Sequence, residues 1–212
     1  MATGVLKKVS AKQAREVCAQ FELTEEARPL LNDQISPDAF LDLLLEHERL
    51  ADAIRLLAFA LPKREAVWWA CQCVRDCLPN DAPPKLLDAV KAAEAWVYKP
   101  TEENRWAAKE PGERAGYDKA AAWPALGAFW SGGSMVPAHL PAMAPGPTFT
   151  GMAVSGAVLL SAAQREPEKI MERYRQFIGY GVDIAGGGTG KPKAPGDAPA
   201  GMPPTPAGAR TR

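Results

Sequence analysis

The sequence predicts an all-α fold: a compact multi-helix domain over residues 1–185, assembled from solenoid-like helical pairs and followed by a disordered Gly/Pro-rich tail over 186–212. Three observations carry this. Apolar residues recur at helical spacing between prolines, helix-start signals precede those windows, and no stretch alternates as a half-buried strand would. The expectation is about eight to ten helices.

Ser10 followed by Gln13 has capping-box spacing and opens a helix through Phe21. Thr24 with Glu25 and Glu26 starts a short second one, its acids set against the positive helix end. Ser36-Pro37-Asp38 is a third start, with Pro where its missing N–H costs nothing. Phe40, Leu43, Leu44, His47, Ala51, Ile54 and Ala58 then recur at helical spacing, as one long helix or two with a break near Glu48. Pro62 begins "AVWWACQCVRDC" and its flanks, and "LPNDAPP" ends that helix. Pro84 leads into Leu86, Leu87, Val90, Trp96 and Val97, closed by Pro100. Thr101 with Glu102 and Glu103 starts a further helix carrying Trp106. Residues 113–130 form an alanine-rich helix stopped by Gly132-Gly133. "MVPAHLPAMAPGPT" is a proline-punctuated loop long enough to suspect a binding role. Phe149 to Ala163 is an apolar, small-residue helix, short of the roughly 20 residues that cross a bilayer. Glu166-Pro167-Glu168 opens the last helix, with Ile170, Tyr174, Phe177 and Ile178 as its apolar stripe. After Gly186 about half the residues are Gly or Pro, too little apolar surface for a packed core.

Acids and bases balance at 25 each among 212 residues, and no Lys/Arg-rich block occurs. No global field therefore favours nucleic acid or an anionic membrane. The N-terminus has no apolar segment typical of a secretory signal, so four cysteines read as reduced thiols in a cytoplasmic protein.

Residues 66–77 hold two tryptophans and three cysteines. On a helical wheel Cys71, Cys73 and Cys77 fall with Ala66, Val67, Ala70 and Val74 in one apolar arc, where a thiol packs as a small hydrophobe. A structural zinc needs four ligands, and beyond this helix only Cys18, His47 and His139 remain, at no recognised spacing. Packing is the expected role, with no metal or cofactor. A metal site on the Cys71–Cys77 helix is the rival. Arg64, Glu65, Trp68, Gln72, Arg75 and Asp76 fill the polar arc, Trp68 at its middle. Either a neighbouring element covers Trp68, or it is an exposed partner anchor with Arg64 and Arg75, since Trp with Arg is typical of binding hot spots.

His47 reads as a hydrogen-bonded core histidine. "GGGTGKP" at 186–192 fails as a phosphate loop: Ala185 stands at the first glycine's place, Pro192 replaces the hydroxyl, and no helix follows. "FWSGGS" places Trp130, Ser131, Gly132, Gly133 and Ser134 at a helix-ending turn. It lacks the G-x-S-x-G elbow, so acyl transfer through Ser131 and His139 is only the rival reading. No residue is assigned as catalytic.

"LPKREAVWWACQCVR", "AWVYKPTEENRWAA" and "FWSGGSMVP" together resemble an uncharacterised family of small bacterial helical proteins with Trp-containing motifs, over residues 40–165. That family accompanies type VI secretion genes. The resemblance implies an accessory, adaptor or chaperone-like role beside a spike or effector component, and supplies no catalytic residues. The expected function is thus a non-enzymatic, cytoplasmic protein-interaction module that binds neither nucleic acid nor the membrane interior. Its candidate surface comprises Arg64, Trp68, Arg75 and residues Trp130 to Ser134.

Overall fold

The computed structural model of the chain describes residues 6–164 and 166–190, and every regular element among them is helical. In order these are α1 (Ala14–Cys18), a 3₁₀ turn (Arg28–Leu30), α2 (Pro37–Glu46), α3 (Leu50–Ala60), α4 (Lys63–Cys77) and α5 (Pro84–Tyr98). Then follow α6 (Glu102–Ala107), α7 (Lys109–Ala115), α8 (Ala122–Phe129), α9 (Phe149–Ala163), a 3₁₀ turn (Pro167–Lys169) and α10 (Ile170–Gly186). None of these helices is long and apolar enough to cross a membrane.

Two helices organise the rest. α9 packs against α4, α8, α3 and α10, and α4 also meets α5. Close approach is possible because α9 is built from small residues. A Cβ on Gly151 would come within 2.6 Å of the Phe59 ring, and one on Gly127 of α8 would meet the Ala153 methyl at 3.4 Å. α4 and α10 interlock through an indole. Trp69, fully buried, donates its Nε1–H to the Phe177 carbonyl at 2.7 Å. The ring fits there because Gly181, one turn on, has no side chain; a Cβ would sit 3.0 Å from the indole. Phe40, Leu41, Leu44, Ile54, Leu57 and Phe177 complete the same core. Each such side chain contributes roughly 1.5–3 kcal/mol on leaving water.

Several boundaries differ from the sequence reading. α1 starts at Ala14, where Glu16 Oε1 accepts the Gln13 N–H at 2.9 Å, and it ends at Cys18. Thr24 caps no α-helix: its hydroxyl and N–H both donate to buried Asp52, at 2.7 and 3.2 Å, pinning the 20–28 segment to α3. The break near Glu48 is a full turn, with Glu48 at φ +57°. There the Arg49 N–H reaches the Leu44 carbonyl and the Glu48 N–H that of Leu45, a Schellman closure without glycine. His47 is consequently an exposed cap residue rather than a core histidine. Residues 113–130 are not one helix, because Gly116 at φ +99° ends α7 and the chain turns before α8. α10 runs on to Gly186, and residues 187–190 fold back on it, so the disorder expected from 186 does not begin there. Residues 191–212 lie outside the described residues.

Candidate functional site

In the first predicted cluster Trp68 is buried, while Arg64 and Arg75 beside it are half-buried and engaged with α5. Trp68 is only 6% exposed. Its Nε1–H donates to the Thr189 carbonyl at 2.8 Å, and its ring meets Tyr98 edge-on at 5.8 Å. Arg64 Nε donates to the Val97 carbonyl at 2.6 Å, and Arg75 grips Glu94 with two bonds of 2.6 Å. Glu65 pairs with Lys8 at 3.5 Å, and Asp76 accepts the Tyr180 hydroxyl at 2.6 Å. The polar arc of α4 is therefore partnered by α5, α10 and the N-terminal segment, with Glu65 and Trp68 buried and Arg64, Gln72, Arg75 and Asp76 half-buried. That overturns the expectation of an exposed Trp–Arg anchor on this helix; of the two readings of Trp68, the covered one is what the structure shows.

The second cluster is the turn that ends α8, and its carbonyls are captured by cations. Arg105, 3% exposed, donates from Nη1 to the Phe129 carbonyl at 2.5 Å and from Nη2 to that of Ser134 at 2.6 Å. Nε and Nη2 also hold the Glu102 carboxylate at 2.7 and 2.6 Å. That pairing keeps the Glu102 carboxyl below its ordinary pKa. Lys63 Nζ donates to the Ser131 carbonyl at 2.8 Å, so both cations stand at the negative end of α8. Gly133 takes φ +63° against the Arg105–Glu102 pair, while Gly132 borders open space. Ser134 Oγ accepts the Val136 and Met143 N–H groups, at 3.1 and 3.2 Å, and donates to the Val136 carbonyl. With the Met135 N–H on the Met143 carbonyl at 2.8 Å, this closes the neck of an Ω-loop over residues 135–143. Trp130 is half-buried and packs edge-on against Phe149 at 5.5 Å. So the motifs around Arg105 and Ser131 form one construction that presents the loop.

The rival chemistries are not assembled. No hydrogen bond joins Ser131 to His139, and His139 is exposed on the loop. Cys71 and Cys73 are fully buried and Cys77 nearly so. Burial pushes the Cys71 thiol well up, and burial with the Asp52 charge pushes Cys18 to about 12, which keeps both as neutral thiols. Among the described residues no three His, Cys, Asp or Glu side chains converge as metal ligands would.

What the residue-by-residue reading missed is the open edge of α9. Phe149 is 37% and Met152 58% exposed, one turn apart on a helix whose other residues are mostly buried or half-buried. Met152 also lines a groove of about 640 Å³ with Phe21, Phe59 and Leu159, whose other side is charged: Glu22, Glu25 and Arg28 of the 20–28 segment, and Arg55 of α3. The Phe21 and Phe59 rings stack at 5.1 Å on its floor. The neighbouring loop adds Leu140 and Met143, about half exposed. A signal for this surface stands in the sequence: no charged residue occurs between Lys119 and Arg165. A buried helix accounts for part of that gap but not for an exposed loop within it. Exposed apolar residues grouped this way mark interaction surfaces, and methionine suits an adaptable one.

No curated protein and no solved structure matches the chain. Residues 40–185, from α2 to the end of α10, match the model of a family of unknown function, DUF6931, and the chain belongs to that family.

Proposed function

We propose that this member of the DUF6931 family is a non-enzymatic protein-interaction module that receives a partner on the uncharged face made by the 135–143 loop and the open edge of α9. The observation that carries the reading is the pair Phe149 and Met152, left exposed one turn apart in a sequence stretch without Asp, Glu, Lys or Arg, with Met152 at the edge of a groove whose far side carries Glu22, Glu25, Arg28 and Arg55. A face of that composition gains from apolar burial on docking. The partner is then a protein segment with an uncharged apolar face. Its setting, an adaptor or chaperone-like role at a bacterial secretion spike or effector in the cytoplasm, follows from the sequence resemblance alone.

Affinity-tagged chain expressed in its native host tests this. Wild type should retain a discrete partner in near-stoichiometric amount. Met152→Asp and Phe149→Asp should each lose it while keeping helicity, because a charge on the face must be desolvated on docking. Met171→Asp, at another exposed apolar residue, should retain it. Retention by all three variants removes this face from the function.

A further inference from the structure

The segment after α10 was read from sequence as a failed phosphate loop, and its structure gives it another task. Gly187 closes α10 at φ +106°, and the Gly188 N–H returns to the Asp183 carbonyl at 2.7 Å. The Gly190 N–H donates to Asp183 Oδ2 at 2.8 Å. Gly188 lies so close to that carboxylate that a Cβ would fall on it, and Gly190, at φ +102°, is buried against Ile184 and Gln72. Between these two glycines the Thr189 carbonyl accepts the Trp68 indole N–H. The glycines therefore let bare backbone pass over a tryptophan and dock on one carboxylate.

We infer that residues 187–190 are a releasable strap over Trp68, and that its opening uncovers the Trp68 indole beside the already half-exposed Tyr98 while the helices stay folded. The warrant is how the strap is held. Three of its four residues are glycines, so it buries almost no apolar side chain, and four hydrogen bonds fasten it: the Gly187 and Gly188 N–H groups to the Ile184 and Asp183 carbonyls, the Gly190 N–H to the Asp183 carboxylate, and the Trp68 indole to the Thr189 carbonyl. Segments with few apolar contacts open locally at lower free energy than the core they cover. What lies beneath is different: Trp69, one residue on, is locked into α10 and has no such cover to lose. The chain continues past Gly190, so a partner or protease acting on residues 191–212 pulls first on the strap. This device is independent of the docking face on α9.

Hydroxyl-radical footprinting of the full chain, with each tryptophan resolved by mass spectrometry, tests the inference. Gly190→Val opposes the positive φ and meets Ile184, while Asp183→Ala removes the carboxylate that anchors the strap; the two act on different bonds. In whichever variant keeps wild-type helicity, Trp68 oxidation should rise severalfold while Trp69 stays protected. In wild type, the amides of 187–190 should exchange with deuterium faster than those within α10. Unchanged Trp68 reactivity in a folded variant, oxidation of Trp69 in step with Trp68, or strap amides exchanging as slowly as the α10 core would each overturn it. So would loss of the helical fold in both variants, because the strap would then be part of the core.

Discussion

Arg105 is the residue on which the presentation of the loop depends. One guanidinium satisfies two carbonyls of the α8 turn, holds a carboxylate from its own helix, and lies over the Trp106 and Phe129 rings at 5.4 and 5.0 Å. Arg105→Ala leaves two buried acceptors unmade and should cost about 2–4 kcal/mol in urea denaturation. Arg105→Lys keeps the charge but lacks the planar fork, and should recover less than half of that loss. A lysine variant as stable as wild type would mean that charge alone, not the fork, holds the turn. Sequence reading passed over Arg105 because an arginine in "ENRW" looks like any solvated helix residue. Its burial is decided by Phe129 and Ser134, far along the chain. Trp68 was legible only as two alternatives, because its local arc is polar and its cover comes from Tyr98 on α5 and from Thr189 after α10.

At the scale of elements, what a start or stop signal fixes locally was legible. Ser36 caps α2, Thr101 caps α6, Pro62 and Pro84 stand at the entry to α4 and α5, and the apolar run Phe149–Ala163 coincides with α9. Signals with two possible uses were not. Thr24 had the form of an N-cap, but Asp52 across the fold offered its hydroxyl and N–H a better-buried acceptor. Gly116 lay within an alanine-rich pattern whose helical spacing hid a left-handed break. The polar arc of α4 marks where tertiary context outweighed pattern, since amphipathic spacing shows two faces but not what packs on each. The docking face was half legible: the loop was singled out by its prolines, whereas Phe149 and Met152 read as core because α9 is apolar all round.

Across the whole molecule, the interior holds its titratable hydrogens tightly, and this sets a direction for stability against pH. Cys18 and Cys71 have pKa values raised above the ordinary 9.0 by burial, and Tyr174 and Tyr180 lie above the ordinary 10.0. These groups bind a proton more tightly folded than unfolded, so the stability they confer is complete below the unfolded pKa and is lost progressively as pH rises from there through the folded pKa. Lys63, lowered by desolvation, runs the other way, but it is a single exposed side chain against several interior groups. The urea midpoint should therefore fall between about pH 8 and about pH 10.5. A midpoint that climbs over that interval contradicts the burial of these thiols.

The central proposal is that a closely packed helical body presents the loop and the open edge of α9 to a protein partner. Photo-crosslinking in the native host tests it most directly, with a benzophenone amino acid placed at Met152 and, separately, at Met171. The expected result is one discrete protein adduct from position 152, abolished by Phe149→Asp in the same chain, and none from position 171. Adducts of equal yield from both positions, or none from 152 while 171 captures a partner, would contradict it.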